Sequence, residues 1–289
     1  MSYRLINGDA MDLRFDVELT NACNAQCVFC PHSRMTREVG YMSWETWKQI
    51  VHQAQAADIL RLTVAGFGEP TLHPQLIDFL KWGRSQLPDK WLQLVTNASL
   101  LWNMDLDDLA AANLTDIVIS FNGYSPVSYE RFMRGLSFEK VFQGMSLLTE
   151  RLQKTGTTIK IRGIRFPPDS ETSRQKTIAF LQSLGFSPRA DEFYPLHNRG
   201  GLLYSRLAPT GRTCDEFANT LAIGWDGSVP LCIGDMFHAS IVGNINDYTA
   251  LELHRNCLVE RKMIKTQQKL CMKCDIADVF RPVFGSPVG

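Results

Sequence analysis

Short runs of β-branched and aliphatic residues alternate with longer amphipathic runs along the first two thirds of the chain. The short runs predict six strands, at 13–19, 59–66, 91–96, 116–120, 158–164 and 189–195. Stretches with helical periodicity separate them, and Ser43 is suited to cap the first helix. This order predicts six β/α units with a parallel sheet and outer helices. Six units in about 190 residues favour an α/β fold of the partial (β/α)6 barrel type over a closed eight-fold barrel.

In folds of this class, functional residues gather at the C-terminal ends of the strands. Unusual stretches fall at these positions. They are three cysteines after the first strand, GFGEP (66–70), TNAS (96–99), SFNG (120–123) and Arg165. We therefore expect one site to be assembled from several strand ends.

The regular alternation ends near residue 195. A Gly-, Pro- and Arg-containing stretch at 196–213 predicts a linker. The stretch 221–232 predicts a β-hairpin because the Asp226-Gly227 pair lies between β-prone flanks. A helical run from 250 and the motif CMKC follow. We expect a barrel at 1–195, a linker at 196–213 and a small domain of hairpin plus helix at 214–289.

Charge and composition narrow the classes of function. The 289 residues carry 30 Lys and Arg and 30 Asp and Glu, so the net charge is zero. That balance does not predict a nucleic-acid partner. The N-terminus has no secretory signal pattern, and no apolar run is long enough to predict a membrane span. These features predict a cytoplasmic protein, in which the eight cysteines are metal ligands or catalytic thiols rather than disulfides.

Three of the eight cysteines lie close together, with the spacing C-x3-C-x2-C. They are Cys23, Cys27 and Cys30, in the stretch CNAQCVFC. Four thiolates normally hold a four-iron cluster, so three would leave one iron open for a small chelating molecule. A zinc site with a distant fourth ligand and a set of buried free thiols are the alternatives. The spacing favours an iron–sulfur cluster.

This stretch resembles the signature of radical S-adenosylmethionine (SAM) enzymes, including the aromatic Phe29 before the third cysteine. GFGEP resembles the glycine-glycine-glutamate motif of that family, with Phe67 inserted. The resemblance implies that the three cysteines hold a [4Fe–4S] cluster whose open iron binds SAM. It implies that Gly66, Gly68 and Glu69 receive the methionine ammonium group. Further SAM contacts are implied at Phe29, Asn97, Ser120, Asn122 and Arg165. Loop capping at Ser120 and Asn122, and a surface ion pair at Arg165, are the alternatives for those three residues.

The later cysteines resemble the shortened SPASM extension called a twitch domain. That resemblance implies a second, auxiliary [4Fe–4S] cluster held by Cys214, Cys232, Cys271 and Cys274, with a zinc ribbon as the alternative. Cys257 is left over. It is either a buried small apolar residue or a catalytic thiol that donates a hydrogen atom to a substrate radical.

The family resemblance implies that a 5′-deoxyadenosyl radical abstracts a hydrogen atom from a carbon of the substrate. We expect a dehydrogenase that forms a ketone on an amino sugar, aminocyclitol or aminoglycoside-like molecule in antibiotic biosynthesis. The alternatives are an epimerase that uses Cys257, a peptide-modifying or maturase-like enzyme, and a non-catalytic iron–sulfur scaffold. An external electron donor such as flavodoxin or ferredoxin is implied. Polar residues of the linker are candidates to face the substrate: His197, Arg199, Tyr204 and Arg206.

Overall fold

Seven parallel strands form the main sheet of the protein, as seen in a computed structural model. The structure describes residues 12–153, 155–166, 170–198, 202–203, 217–263 and 274–275. The strands are β1 (Arg14–Val17), β2 (Arg61–Val64), β3 (Trp91–Thr96), β4 (Asp116–Ser120), β5 (Thr158–Arg165), β6 (Phe193–Pro195) and β7 (Thr220–Ile223). Their order in the sheet is β6-β5-β4-β3-β2-β1-β7.

The first six strands confirm the predicted α/β partial barrel, because each lies beside the strand before it in sequence and parallel to it. Helices join them. These are α1 (Trp44–Ala56), α2 (Leu76–Gln86), α3 (Leu106–Ala111), α4 (Pro126–Phe132), α5 (Phe138–Leu152) and α6 (Ser170–Ser183). Parallel pairing requires such crossovers, and the carboxyl ends of all six strands consequently meet at one edge.

The helices pack on one face of the sheet, which we call the outer face. Phe15 and Val17 of β1 point to this face and are fully buried. Trp47 of α1 stacks on Phe79 of α2 with ring centroids 5.5 Å apart, and its indole N–H donates to the Phe79 carbonyl. Ser43 caps α1 as predicted, since its Oγ accepts from the Thr46 N–H at 3.1 Å.

The predicted hairpin at 221–232 is wrong. The Asp226-Gly227 turn does form, and Gly227 has a φ of 82°. However, β7 does not pair with the strand that follows the turn. It pairs in parallel with β1 instead, which buries Leu221 and Ile223 in the core. The strand after the turn, β8 (Ser228–Pro230), instead pairs in antiparallel fashion with β9 (Ile241–Asn244).

The predicted boundary at residue 214 therefore separates segments that share one sheet. The last described helix, α7 (Ala250–Met263), packs on β7 and β9. Cys214, Cys271, Arg199, Tyr204 and Arg206 lie outside the described residues. Within the described ranges no helix is long and apolar enough to cross a membrane.

Candidate functional site

The loop with the three cysteines follows β1 and is fixed by backbone hydrogen bonds to the end of α4 and the segment after it. The Gln26 N–H donates to the Arg134 carbonyl at 2.7 Å, and the Val28 N–H donates to the Phe132 carbonyl at 3.0 Å. Gly135 lies against the loop, where a Cβ atom would be 3.1 Å from the Asn24 carbonyl oxygen. The loop is thus clamped between β1 and the α4–α5 connection.

The three thiols lie close enough to influence one another. Burial, together with the charges of the neighbouring thiolates and Glu69, raises the pKa of Cys23 to about 11 and that of Cys27 to about 12. Among the residues that the structure describes, no three His, Cys, Asp or Glu side chains converge on a single metal ion. Cysteine thiolates are the usual protein ligands of iron–sulfur clusters, and these three thiols are neighbours on one loop.

A thioether packs beside this loop, which the sequence pattern did not predict. The Sδ atom of Met133 lies 3.7 Å from the Cys27 sulfur and 3.5 Å from Nδ2 of Asn122. Met133 is 1% exposed. It therefore shields one side of Cys27 from water and joins the cysteine loop to the end of β4.

Glu69 is a buried carboxylate at the end of the glycine-rich turn. Its Oε1 accepts from the N–H and hydroxyl of Thr71 and from the hydroxyl of Thr96. Its Oε2 accepts from the Asn97 N–H at 2.7 Å. Burial raises the pKa of Glu69, and these hydrogen bonds oppose the increase. Oε2 receives one donor from the described chain and has a second lone-pair direction for a ligand.

The two glycines of the turn allow the backbone to approach its neighbours closely. A Cβ on Gly68 would lie 2.1 Å from the Thr20 carbonyl oxygen and 2.6 Å from that of Ala22. A Cβ on Gly66 would lie 2.7 Å from the Glu18 side chain, and its φ is 158°. Both positions therefore require glycine for the turn to pack under the cysteine loop.

Asn97 connects the end of β3 to the cysteine loop. Its Nδ2 donates to Oδ1 of Asn24 at 3.0 Å, and its Oδ1 accepts from the Ser99 N–H. Asn24 in turn donates to Oγ of Ser99 at 2.8 Å. The TNAS stretch and the residue after Cys23 thus form one hydrogen-bonded unit, as expected for strand ends that share a site.

The aromatic residue of the cysteine motif joins a small aromatic cluster. The Phe29 ring lies 5.7 Å from Phe166, which stacks on Phe132 at 4.5 Å with an interplanar angle of 8°. Phe166 follows β5 directly. An apolar wall therefore runs from the cysteine loop to the end of β5.

The remaining candidate SAM contacts lie at the ends of β4 and β5. Asn122 is 3% exposed, and its Oδ1 accepts a hydrogen bond from the Ile164 N–H at 2.7 Å. This side-chain-to-backbone bond is of the capping kind that was the alternative to a SAM contact for Asn122. Ser120 is partly buried and is in register with Arg162. The Nε atom of Arg165 is buried and has no hydrogen-bond partner in the described part of the chain. Roles of these residues toward SAM stay predictions.

A buried ion pair ties the site to the C-terminal segment. Arg37 pairs with Glu18 at 2.8 Å, with side chains 10% and 7% exposed. The same guanidinium donates from Nε to the Met236 carbonyl at 2.8 Å, and Glu18 also accepts from the Phe67 N–H. Local patterns do not reveal this pair, because Glu18, Arg37, Phe67 and Met236 come from four separate segments.

Two of the four cysteines implied for the auxiliary cluster, Cys232 and Cys274, lie within the described residues. Cys232 Sγ accepts from the Gly234 N–H at 3.3 Å, a contact suited to a thiolate. Asp275, beside Cys274, exchanges two hydrogen bonds with Asn198, at 2.8 and 3.2 Å. Asn198 is fully buried just beyond β6, and its neighbour His197 is 7% exposed. The residue that follows Cys274 is thus hydrogen-bonded to the segment that continues from β6.

Cys257 lies on α7 and is 1% exposed within the hydrophobic core. Burial raises its pKa to about 11, and Arg261 opposes the increase. Arg261 donates to the Leu231 and Phe217 carbonyls, which anchors this helix to its neighbours. The thiol is thus buried in the core, with Arg261 and Cys232 as its charged neighbours. This burial favours the packing interpretation over hydrogen-atom donation.

These residues fit the cofactor that the sequence resemblance implies. Glu69 has no ion-pair partner within the described ranges, yet it affects the pKa of Cys23. A buried carboxylate without a cation is costly, and the ammonium group of SAM would supply that cation beside the thiols.

Comparison with known proteins agrees with this arrangement. The chain is 24% identical over 255 residues to a tungsten-containing aldehyde ferredoxin oxidoreductase cofactor-modifying protein of Pyrococcus furiosus, covering 75% of this chain and 69% of the relative. It is 21% identical over 281 residues to an S-adenosyl-L-methionine-dependent 2-deoxy-scyllo-inosamine dehydrogenase of Niallia circulans, covering 94% and 96%. For two further curated relatives the chain spans about half of their length, 54% and 46%.

The fold is also similar to that of a solved structure. The crystal structure of BtrN in complex with AdoMet and 2-DOIA superposes with a TM-score of 0.62 at 19% identity, covering 92% of this chain and 94% of that one. The family model of the radical SAM superfamily matches residues 17–181, which contain the cysteine loop and the glycine-rich turn. The protein is therefore a member of the radical SAM superfamily.

Proposed function

We propose that the protein is a radical SAM dehydrogenase that oxidises a hydroxyl-bearing carbon of a polar small molecule to a ketone. The observation that carries this proposal is the link between the two cysteine regions. Arg37, from the segment after the cysteine loop, binds the Met236 carbonyl, and Asn198 beyond β6 binds Asp275 beside Cys274. A second redox group would thus lie beside the barrel that holds the first.

When bound, SAM on the first cluster would supply the 5′-deoxyadenosyl radical that removes the hydrogen atom from the carbon, the auxiliary cluster would accept the remaining electron, and the hydroxyl proton would pass to solvent. In our proposal Cys23, Cys27 and Cys30 hold the first cluster, and Cys214, Cys232, Cys271 and Cys274 hold the second. Glu69 receives the methionine ammonium group, and Met133 with the Phe29 cluster excludes water from the thiolates. An external flavodoxin- or ferredoxin-type donor would supply the reducing electron.

The position of Cys257 favours oxidation over epimerisation. An epimerase needs a thiol that reaches the substrate carbon, and this thiol is 1% exposed among apolar side chains. The similarity to the Niallia circulans dehydrogenase over 94% of this chain supports the same choice.

Product analysis tests the proposal. The protein, loaded anaerobically with iron and sulfide, is incubated with SAM, dithionite and one of three candidates: 2-deoxy-scyllo-inosamine, glucosamine or glucosamine 6-phosphate. A dehydrogenase gives a ketone that has lost two hydrogen atoms, whereas an epimerase gives an isomer that carries solvent deuterium. We expect Cys232→Ala to cleave SAM without forming ketone, and the matched variant Cys257→Ala to form ketone normally. An isomeric product that disappears in Cys257→Ala would refute the dehydrogenase.

A further inference from the structure

Two arginines occupy adjacent positions on the inner face of the sheet, opposite the helices. Arg14 of β1 is in register with Arg61 of β2. Side chains alternate along a strand, and Phe15, Val17 and Leu62 point into the outer core. Arg14 and Arg61 therefore lie side by side on the face that lines the barrel interior.

Neither guanidinium group has a hydrogen-bond or ion-pair partner within the described ranges, and the Nε atoms of both are buried. Like charges directly opposite each other on neighbouring strands destabilise a sheet. Burial and the neighbouring charges of Arg14 and Arg162 lower the pKa of Arg61, which reflects the same unfavourable contact. Such a pair is suited to hold a negative charge between its members.

One carboxylate lies among these arginines and also has a free atom. Asp16 is two residues from Arg14, and its Oδ1 is buried without a hydrogen-bond partner in the described part of the chain. Burial raises the pKa of Asp16, and the positive charges of Arg61, Arg162 and Arg14 oppose the increase. Arg162 already pairs with Glu192 at 3.3 Å, and Asp116, whose charge also attracts Arg61, already pairs with Lys160. Asp16 is therefore the carboxylate near the two arginines that has no ion-pair partner within the described ranges. One positive charge is left in excess.

The neighbouring inner-face positions are polar and mutually bonded. Thr63 is in register with Asp16 and Gln93, and Gln93 donates to Asp116 at 2.7 Å. Lys160 completes the row by pairing with Asp116. These groups satisfy one another, which leaves Arg14, Arg61 and Asp16 as the members with unused polar atoms.

We propose that Arg14 and Arg61 bind the phosphate or carboxylate group of the substrate, while Oδ1 of Asp16 accepts a hydrogen bond from a neighbouring hydroxyl or amino group. The inference rests on the proposed function and specifies its substrate class as an anionic, hydroxylated small molecule. Arg14 and Glu18 are about 13 Å apart along β1 at about 3.3 Å per residue, with Asp16 midway between them. Glu18 contacts the glycine-rich turn, so an elongated molecule whose anionic end meets the extended arginine side chains would reach from the anion subsite toward the reaction site.

Calorimetric titration of the cluster-loaded protein at fixed ionic strength tests this subsite. The probes are inorganic phosphate, glucosamine 6-phosphate, glucuronate and glucosamine. We expect glucosamine 6-phosphate or glucuronate to bind at least about tenfold more tightly than glucosamine, and the tighter of the two identifies the anion as phosphate or carboxylate. Arg61→Gln should weaken that binding about tenfold or more. If Arg61→Gln does not fold, Arg14→Gln tests the same subsite with the same expected result.

Arg151→Gln is the matched control, because Arg151 is half-exposed and pairs with Asp107 at the surface. It should bind every probe as the wild type does. Asp16→Asn should weaken glucosamine 6-phosphate more than inorganic phosphate. The subsite is refuted if the wild type binds neither anionic sugar more tightly than glucosamine, or if both arginine variants bind like the wild type. Iron content and SAM cleavage of the wild type test the proposed function separately, so the two failures are distinguishable.

Discussion

Replacing Gly68 by alanine perturbs the contact between the glycine-rich turn and the cysteine loop. The added Cβ would lie 2.1 Å from the Thr20 carbonyl oxygen and 2.8 Å from the Asn21 Cα. All the nearby atoms are backbone, so no side chain can rotate away. The same approach allows the Glu69 N–H to donate to the Ala22 carbonyl at 2.8 Å.

The required movement can be estimated from these distances. Carbon and oxygen atoms in contact are normally about 3.3 Å apart or more, so the turn and the loop must separate by about 1 Å. Overpacking of this kind costs about 1–3 kcal/mol, and loss of the buried hydrogen bond adds about 1 kcal/mol. We therefore expect Gly68→Ala to lower the free energy of unfolding by about 2–4 kcal/mol. A displaced cysteine loop should also hold less iron.

Urea unfolding of the metal-free protein and iron analysis after anaerobic loading measure both effects. Gly156→Ala is the matched control, because no atom of the described residues beyond its two chain neighbours lies within 4 Å of a Cβ built at that position. Its unfolding free energy should stay within about 0.5 kcal/mol of the wild type. If Gly68→Ala is as stable as Gly156→Ala and binds as much iron, the close contact does not hold the loop.

Three further variants test other parts of the structure. Arg37→Met leaves the buried Glu18 carboxylate without its ion-pair partner and should lower the free energy of unfolding by about 3–5 kcal/mol. The double variant Arg37→Met with Glu18→Met should recover part of that loss. Burial and the charge of Arg37 lower the pKa of His238 in the folded protein from 6.5 to about 4. As the pH drops from 6.5 to 4, this histidine is therefore protonated in the unfolded chain before it is protonated in the folded one. The free energy of unfolding should fall over that pH range. His238→Gln should flatten that part of the urea-unfolding profile, and an unchanged slope would contradict the assignment. Cys257→Ser should be less stable than Cys257→Ala, because it buries a hydroxyl among apolar groups; equal stability would argue against this packing.

The sequence predicted the elements whose causes are local. The Ser43 cap and the strands at 91–96 and 116–120 follow from side-chain type and periodicity, and the structure has them at the predicted residues. The hairpin at 221–232 failed because the turn signal at Asp226-Gly227 specifies a turn but not the partner of each strand. Pairing with the free edge of β1 places Leu221 and Ile223 in the core, where they are fully buried. A two-stranded hairpin would bury them less.

The candidate site shows the same division. The spacing of Cys23, Cys27 and Cys30 identified the cysteine loop. Its supports could not be predicted, because they join segments far apart in the chain: Met133 reaches Cys27 across 106 residues, and Arg37 reaches Met236 across 199. Only the folded sheet brings such residues together.

Iron content measured together with SAM cleavage tests the central claim most directly. Two [4Fe–4S] clusters predict about eight irons per chain in the anaerobically loaded protein. The triple variant Cys23→Ala, Cys27→Ala and Cys30→Ala should retain about four irons and lose reductive cleavage of SAM to methionine and 5′-deoxyadenosine. A triple variant that still cleaves SAM, or a wild type that binds iron and never cleaves SAM, would contradict the assignment of this loop as the SAM-binding cluster site.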